Sequence, residues 1–126
     1  ENMKIFNTNK TAKINKLLKS LGYTIETGDT GMLHLDREYC PPTSVNIEKD
    51  STIWMMGFWK INQTGTMNHY ELLQFLNDLN SRSTIANFTY DNEGQTLVFH
   101  AVYTSKYNDD DFRTFLNQWE KDVHLR

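Results

Sequence analysis

The residues of this chain that could do chemistry include four histidines and a single cysteine. His34 and His100 each fall within a predicted strand, and they would approach one another if those strands faced across a sheet. A zinc site needs several such ligands close together, and no cysteine or carboxylate lies at a recognised ligand spacing from either histidine. Cys40 has Arg37 and Glu38 near it in sequence but no histidine, so activation of its thiol has little support. We therefore predict no metal site and no catalytic nucleophile.

Two groups of carboxylates are better explained by helix structure than by catalysis. Asp109, Asp110 and Asp111 lack the spaced oxygen ligands, the glycine and the glutamate of an EF-hand loop. They fall instead in the first turn of a predicted helix, where negative charge complements the helix dipole. Glu71 and Asp78 share another predicted helix, but a catalytic pair needs a cleft and an environment that raises one pKa. We predict no catalytic residues and no bound cofactor, so the chain is not expected to be an enzyme.

Length and composition indicate one domain over residues 1–126. The chain has 126 residues, of which 38% are hydrophobic and 13% aromatic, which is enough for a core. A formal charge of -3 gives no general attraction to nucleic acid, and no run of 18 apolar residues predicts a membrane span. The lone cysteine excludes an internal disulfide and leaves the compartment open. We expect a cytoplasmic location or, if a leader precedes Glu1, a periplasmic one.

Three amphipathic helices are predicted to hold the fold together. The first is predicted over residues 10–21, ending at Gly22, with an apolar stripe at helical spacing. The second, over residues 68–80, begins at a capping box formed by Asn68 and Glu71. The third follows the cap Asn108. The three stripes contain Ile14, Leu17, Leu18 and Leu21 in the first helix, Leu72, Phe75, Leu76 and Leu79 in the second, and Phe112, Phe115, Leu116, Trp119 and Val123 in the third.

The first helix also carries a strip of lysines at three-residue spacing. This strip is predicted to be a solvated face, with a docking surface for an acidic partner as the alternative. Its members are Lys10, Lys13, Lys16 and Lys19.

The strands follow from alternating apolar and polar residues and from turn chemistry between them. They are predicted over residues 23–27, 32–36, 45–48, 52–61, 85–90 and 95–103. The prolines of Cys40-Pro41-Pro42 mark a linker between strands, and Asp91-Asn92-Glu93-Gly94 a turn. The fold class is therefore α+β, with an antiparallel sheet of five to six strands and three helices in the order α-β-β-β-β-α-β-β-α.

The strand over residues 52–61 is unusual because both of its faces are apolar. Such a strand is either central and covered on both sides, or it has one face that something outside the monomer buries. Methionine and tryptophan suit an adaptable contact surface, because thioethers repack easily and indoles bring a large area. The candidate protein-binding residues are Trp54, Met56, Phe58, Met55 and Trp59.

The chain resembles the YbjN-like family of proposed bacterial sensory transduction regulators, whose fold is similar to that of type III secretion chaperones. The resemblance covers most of the chain and rests on the element order and on three motifs. These are Leu72-Leu73-Gln74-Phe75-Leu76-Asn77-Asp78-Leu79-Asn80, Ala86-Asn87-Phe88 with Asp91-Asn92-Glu93-Gly94, and Leu97-Val98-Phe99. The resemblance implies a non-enzymatic, often dimeric module in regulation or protein binding, with no catalytic residues.

Three functions of different classes are compatible with the sequence. The first is a protein-interaction or chaperone-like regulatory module that binds itself or an extended peptide through an apolar strand face. The second is a small-molecule sensor with a pocket between the sheet and the helices, lined by aromatic side chains such as Phe75, Phe99 and Phe115. The third is an enzyme, which would need convergent polar groups in a cleft. The first is favoured, with a protein or peptide partner, a possible homodimer and no nucleic acid.

Overall fold

The computed structural model describes residues 2–50, 52–60, 68–91, 95–104 and 106–124, with the backbone alone for residues 2–9. Within these residues, three helices and six strands follow one another in the predicted order. They are α1 (Asn2–Ser20), β1 (Thr24–Thr27), β2 (Leu33–Asp36), β3 (Thr43–Ile47), β4 (Ile53–Lys60), α2 (His69–Arg82), β5 (Asn87–Asp91), β6 (Thr96–Tyr103) and α3 (Asp109–Val123). The α+β class and the order α-β-β-β-β-α-β-β-α are thus confirmed.

Helix α1 is longer than predicted, because it begins at Asn2 rather than at residue 10. The apolar stripe covers only its second half, but no proline or glycine interrupts the first half. Lys13, Lys16 and Lys19 are exposed, as predicted for a solvated face. Lys10 differs: it is half-buried, burial lowers its pKa, and the structure describes no hydrogen-bond partner for its Nζ.

The helix ends use the caps that the sequence predicts. Gly22, with a φ of 96°, ends α1 in a Schellman motif. Its N–H donates to the carbonyl of Lys19, and the N–H of Tyr23 donates to the carbonyl of Leu18. Asn68 and Glu71 form the capping box of α2, through bonds of 2.8 and 3.1 Å. The Asn108 side chain accepts from two N–H groups in the first turn of α3.

All six strands form one antiparallel sheet in the spatial order β1-β2-β3-β4-β6-β5. Strand β4 is central and pairs with β6 along its full length, from Ile53 opposite Tyr103 to Lys60 opposite Thr96. Because α2 and β5 lie between β4 and β6 in sequence, this pairing is long-range. Of the turn predicted over Asp91-Asn92-Glu93-Gly94, Asp91 is the last residue of β5 and residues 92–94 lie outside the described residues, as does Ile61 at the predicted end of β4.

The core lies between the three helices and one face of the sheet, which we call the covered face. Its largest fully buried side chains include Trp119 and Phe112 from α3 and Phe99 from β6. Phe99 packs against Phe88 and Trp119 with ring centroids 5.5 and 5.6 Å away. Gly57 gives this ring its room, since a Cβ at that position would lie 2.5 Å from Phe99 Cε2. Burial of these apolar surfaces on one side of the sheet is the main stabilising contribution.

Candidate functional site

Strand β4 exposes every second side chain on the face opposite the helices. Ile53 and Met55 are fully buried on the covered face. Trp54, Met56 and Phe58 alternate with them and are 41%, 52% and 49% exposed. In the part of the chain that the structure describes, β4 is therefore covered on one face only, although it is a central strand.

Strand β6 extends this exposed apolar surface. Val102 lies directly opposite Trp54 and Val98 directly opposite Phe58, and paired residues of neighbouring strands project to the same side of a sheet. Both valines are half-buried. We call this side the open face and its apolar centre the apolar stripe, which consists of Trp54, Met56, Phe58, Val98 and Val102.

Carboxylates share the open face with the apolar stripe at different distances from it. The register places Asp91 on β5, the strand next to β6, whereas Asp36 of β2 lies two strands from β4 and Glu26 of β1 lies three strands from it. Glu48, just after β3, accepts a hydrogen bond from the indole N–H of Trp54. Lys60 of β4 is the one lysine or arginine among the described strand residues of the open face. Among the described strand residues, the open face thus carries three carboxylates, one ammonium group and the imidazoles of His34 and His100.

The sequence predicts five candidate binding residues, and the structure divides them between the two faces. Trp54, Met56 and Phe58 lie together on the open face. Met55 lies in the core on the covered face. Trp59 is half-buried on that side, and its indole N–H donates to the carbonyl of Val123 at 3.3 Å. These two side chains hold β4 against the helices and are not available to a partner on the open face.

The two strand histidines lie on the open face but are not neighbours. His34 of β2 shares a hydrogen bond of 3.2 Å with Ser44, which is opposite Met56, which is in turn opposite His100. Three strand spacings, or about 14 Å, therefore separate the histidines. Among the described residues, no group of three or more histidines, cysteines or carboxylates is arranged to hold a metal ion.

A polar cluster that sequence reasoning missed joins α3 to the start of β1 and the loop after β2. Glu120 accepts hydrogen bonds from the Tyr23 hydroxyl and from Arg37, whose guanidinium lies 5.4 Å from the centroid of the Tyr23 ring. Burial, followed by the bond to Glu120, raises the pKa of Tyr23 far above its usual value. Burial also raises the pKa of the nearby Cys40 thiol, which opposes thiolate formation. The cluster fastens the loop, and its members are too far apart in sequence for spacing to reveal it.

The aromatic side chains proposed for a ligand pocket are mostly packed against other rings. Phe99 and Phe115 are buried in the core, and Phe115 contacts Tyr103 and Phe112. Phe75 lines an open groove of about 440 Å³ between the ends of α2 and α3. The three phenylalanines therefore do not surround one common pocket, and the small-molecule sensor is not favoured.

Comparisons with known proteins support the fold. No protein-family model matches the chain, and no curated protein matches it. Among solved structures, the crystal structure of YbjN, a proposed transcription regulator from E. coli, is similar with a TM-score of 0.68. The match covers 90% of this chain and 85% of that chain at 16% sequence identity. At this identity the likeness shows a shared fold, and the predicted YbjN-like architecture is confirmed at that level.

Within the described residues, no helix has the length and apolar character needed to cross a bilayer.

Proposed function

We propose that this chain is a non-enzymatic protein-interaction module of a regulatory or chaperone-like kind, and that its docking surface is the open face of the sheet. One observation carries the proposal. Trp54, Met56 and Phe58 follow one another at alternate positions of a central strand, and each exposes about half of its surface. A contiguous exposed apolar patch with a polar border is typical of protein-binding sites.

The residue types of the stripe also favour a protein partner. Tryptophan and phenylalanine supply large contact areas, and tryptophan is enriched among the residues that dominate binding energy. Methionine adapts to different partner shapes. The regulatory part of the proposal is supported by the shared fold with YbjN, which is described as a proposed transcription regulator. The non-enzymatic part is supported by the separation of His34 from His100 and by the raised pKa of Cys40.

A site-specific crosslinking experiment tests the proposal. A photoreactive benzoylphenylalanine is placed at Phe58 in the full chain, in the organism that encodes it, and crosslinked products are identified by mass spectrometry. The same probe at Leu73 is the matched control, because that side chain is 50% exposed but lies on α2. We expect a discrete product from position 58, either a dimer of this chain or an adduct with another protein, and none from position 73.

Measurement of mass in solution separates those two results. Light scattering of the purified 14.8 kDa chain gives a dimer if the open face pairs with itself, and a monomer if it serves another protein. Met56→Glu is expected to abolish the product from position 58, whereas Leu73→Glu leaves it. A lack of products at position 58, or equal yields of one product at both positions, would contradict the proposal.

A further inference from the structure

We infer that the occupant of the open face is an amphipathic helix with a basic polar side, presented by a partner protein. This inference rests on the proposed function and names the chemistry of the partner. It follows from the dimensions of the apolar stripe, from the hydrogen-bonding needs of the possible occupants and from the charges on the open face.

The apolar stripe has the size of one helix. It occupies two adjacent strands, β4 and β6, so its width is about 10 Å at the usual spacing between strands. A helix with its side chains has a diameter of about 10–12 Å. Along β4 the stripe runs from Trp54 to Phe58, which is about 13 Å. Two turns of helix with apolar residues at i, i+3 or i+4, and i+7 cover about that length.

An extended peptide fits this surface poorly. The peptide groups of β4 are already paired with β3 on one side and with β6 on the other. An extended segment on the open face would therefore bury part of its own N–H and C=O groups against apolar side chains without partners. A helix satisfies those groups internally, so it can bury its apolar side without this cost.

A second copy of the sheet fits less well than a helix for a different reason. Two sheets packed face to face would cover the outer strands as well as the central ones. That arrangement would bring Glu26, Asp36 and Asp91, each exposed here, towards the acidic face of the other copy. Burying like charges opposite one another is unfavourable, whereas a single helix leaves the outer strands in water.

The charges on the open face indicate that the polar side of the bound helix is basic. Glu48 lies beside Trp54, Asp91 lies on the strand next to β6 and Asp36 lies two strands from β4, whereas Lys60 is the one lysine or arginine among the described strand residues of this face. Lysine or arginine residues beside the apolar side of a bound helix would lie near these carboxylates. Such complementarity raises the association rate and discriminates against acidic helices.

Three model peptides of about 18 residues, long enough for five turns, test the inference. The first has leucine and lysine at helical spacing, the second has the same composition in strict alternation, and the third replaces each lysine of the first with glutamate. Each is titrated against the full ¹⁵N-labelled chain and followed by amide chemical shifts and by anisotropy of a labelled peptide. We expect the first to bind about tenfold or more tightly than the other two, with shifts concentrated on β4 and β6.

Two variants of matched exposure show whether the apolar contact or the charge dominates. Met56→Glu adds a carboxylate to the open face, and Leu73→Glu adds one to α2. We expect Met56→Glu to weaken binding of the first peptide about tenfold despite the added attraction, and Leu73→Glu to leave the affinity within about twofold. Tighter binding to Met56→Glu would identify electrostatic adhesion and would overturn the inference.

The outcomes also separate this inference from the proposed function. If the alternating peptide binds as tightly as the helical one, with shifts on the open face, the helical occupant is overturned and the docking surface stands. If the glutamate peptide binds as tightly, the basic character is overturned. If no peptide shifts β4 or β6 while position 58 still crosslinks a protein, the inference fails alone. If crosslinking from position 58 fails as well, the proposed function falls with it.

Discussion

The side-chain amide of Asn80 pairs with the backbone of Phe88 in both directions. Its Oδ1 accepts from the Phe88 N–H at 2.7 Å, and its Nδ2 donates to the Phe88 carbonyl at 3.0 Å. Phe88 lies on β5, which is the last strand of the sheet at this side among the described residues, so its outward peptide groups face no described strand. Asn80 therefore satisfies both outward backbone groups of Phe88 and joins α2 to the sheet, which also blocks this position against pairing with another chain.

Replacement of this asparagine should destabilise the fold. We expect Asn80→Ala to lower the free energy of unfolding by about 1–3 kcal/mol, because two backbone groups of Phe88 lose their partner. Urea denaturation measures the change. Asn77→Ala is the control, since it removes the same side chain from an exposed position of α2 and should cost less than about 0.5 kcal/mol. Equal effects of the two substitutions would show that Asn80 does not hold β5.

Asp122 makes a second connection that can be tested in the same way. Its carboxylate accepts hydrogen bonds from the N–H groups of Thr84, Ile85 and Ala86 at 2.7–3.0 Å, and so fixes the chain between α2 and β5. We expect Asp122→Ala to cost about 2–3 kcal/mol of unfolding free energy, since bonds to a charged acceptor are strong and the donors lose it together.

The control for this substitution removes a carboxylate from an exposed ion pair. Asp78 and Arg82 approach to 2.8 Å on the surface of α2 with most of each side chain in solvent. Asp78→Ala should therefore change the unfolding free energy by only about 0–1 kcal/mol. A loss at Asp78 as large as that at Asp122 would mean that net charge, rather than the three hydrogen bonds, determines the effect.

Close packing at Gly57 predicts that a single added methyl group lowers the free energy of unfolding. A Cβ there would lie 2.5 Å from Phe99 Cε2 and 3.1 Å from the carbonyl oxygen of Pro42. The Phe99 ring is fully buried and cannot turn aside freely. We expect Gly57→Ala to cost about 1–3 kcal/mol in thermal or urea unfolding, although alanine is ordinarily the better strand residue. In the Phe99→Leu background the cost should fall by about 1 kcal/mol, and purely additive effects would contradict the contact.

The raised pKa of Tyr23 predicts a loss of stability at alkaline pH. An unfolded tyrosine releases its proton near pH 10, while burial keeps the folded hydroxyl protonated to higher pH. The contribution of Tyr23 is therefore fully present below about pH 10 and is lost as the pH rises above it, by about 1.4 kcal/mol per pH unit. Tyr23→Phe should reduce this slope by that amount in urea titrations up to pH 11.5, roughly the upper limit for such measurements.

Part of the alkaline dependence should remain in this variant, because burial also raises the pKa of Tyr107. Identical slopes for Tyr23→Phe and the unchanged chain would show that folding does not raise the pKa of Tyr23. The absolute stability of Tyr23→Phe at neutral pH is a separate quantity, since it includes the loss of the bond to Glu120.

Local patterns determined the elements of this protein. Helical spacing of Ile14, Leu17 and Leu18 and the capping box at Asn68 depend on residues within a few positions of one another, so the chain encodes them directly. Strict alternation along β4 likewise showed that Met55 and Met56 project to opposite sides. The element order and the α+β class followed from these local signals.

Tertiary structure decided which side of the sheet the helices cover. The two apolar faces of β4 are equivalent in the sequence, and only packing of α1, α2 and α3 on one side buries Met55 and leaves Met56 exposed. The same long-range packing placed Trp59 beside Val123 and brought Glu120 to Tyr23, 97 positions away in the chain. Such contacts depend on the path of the whole backbone, because no local spacing specifies which distant residues will meet.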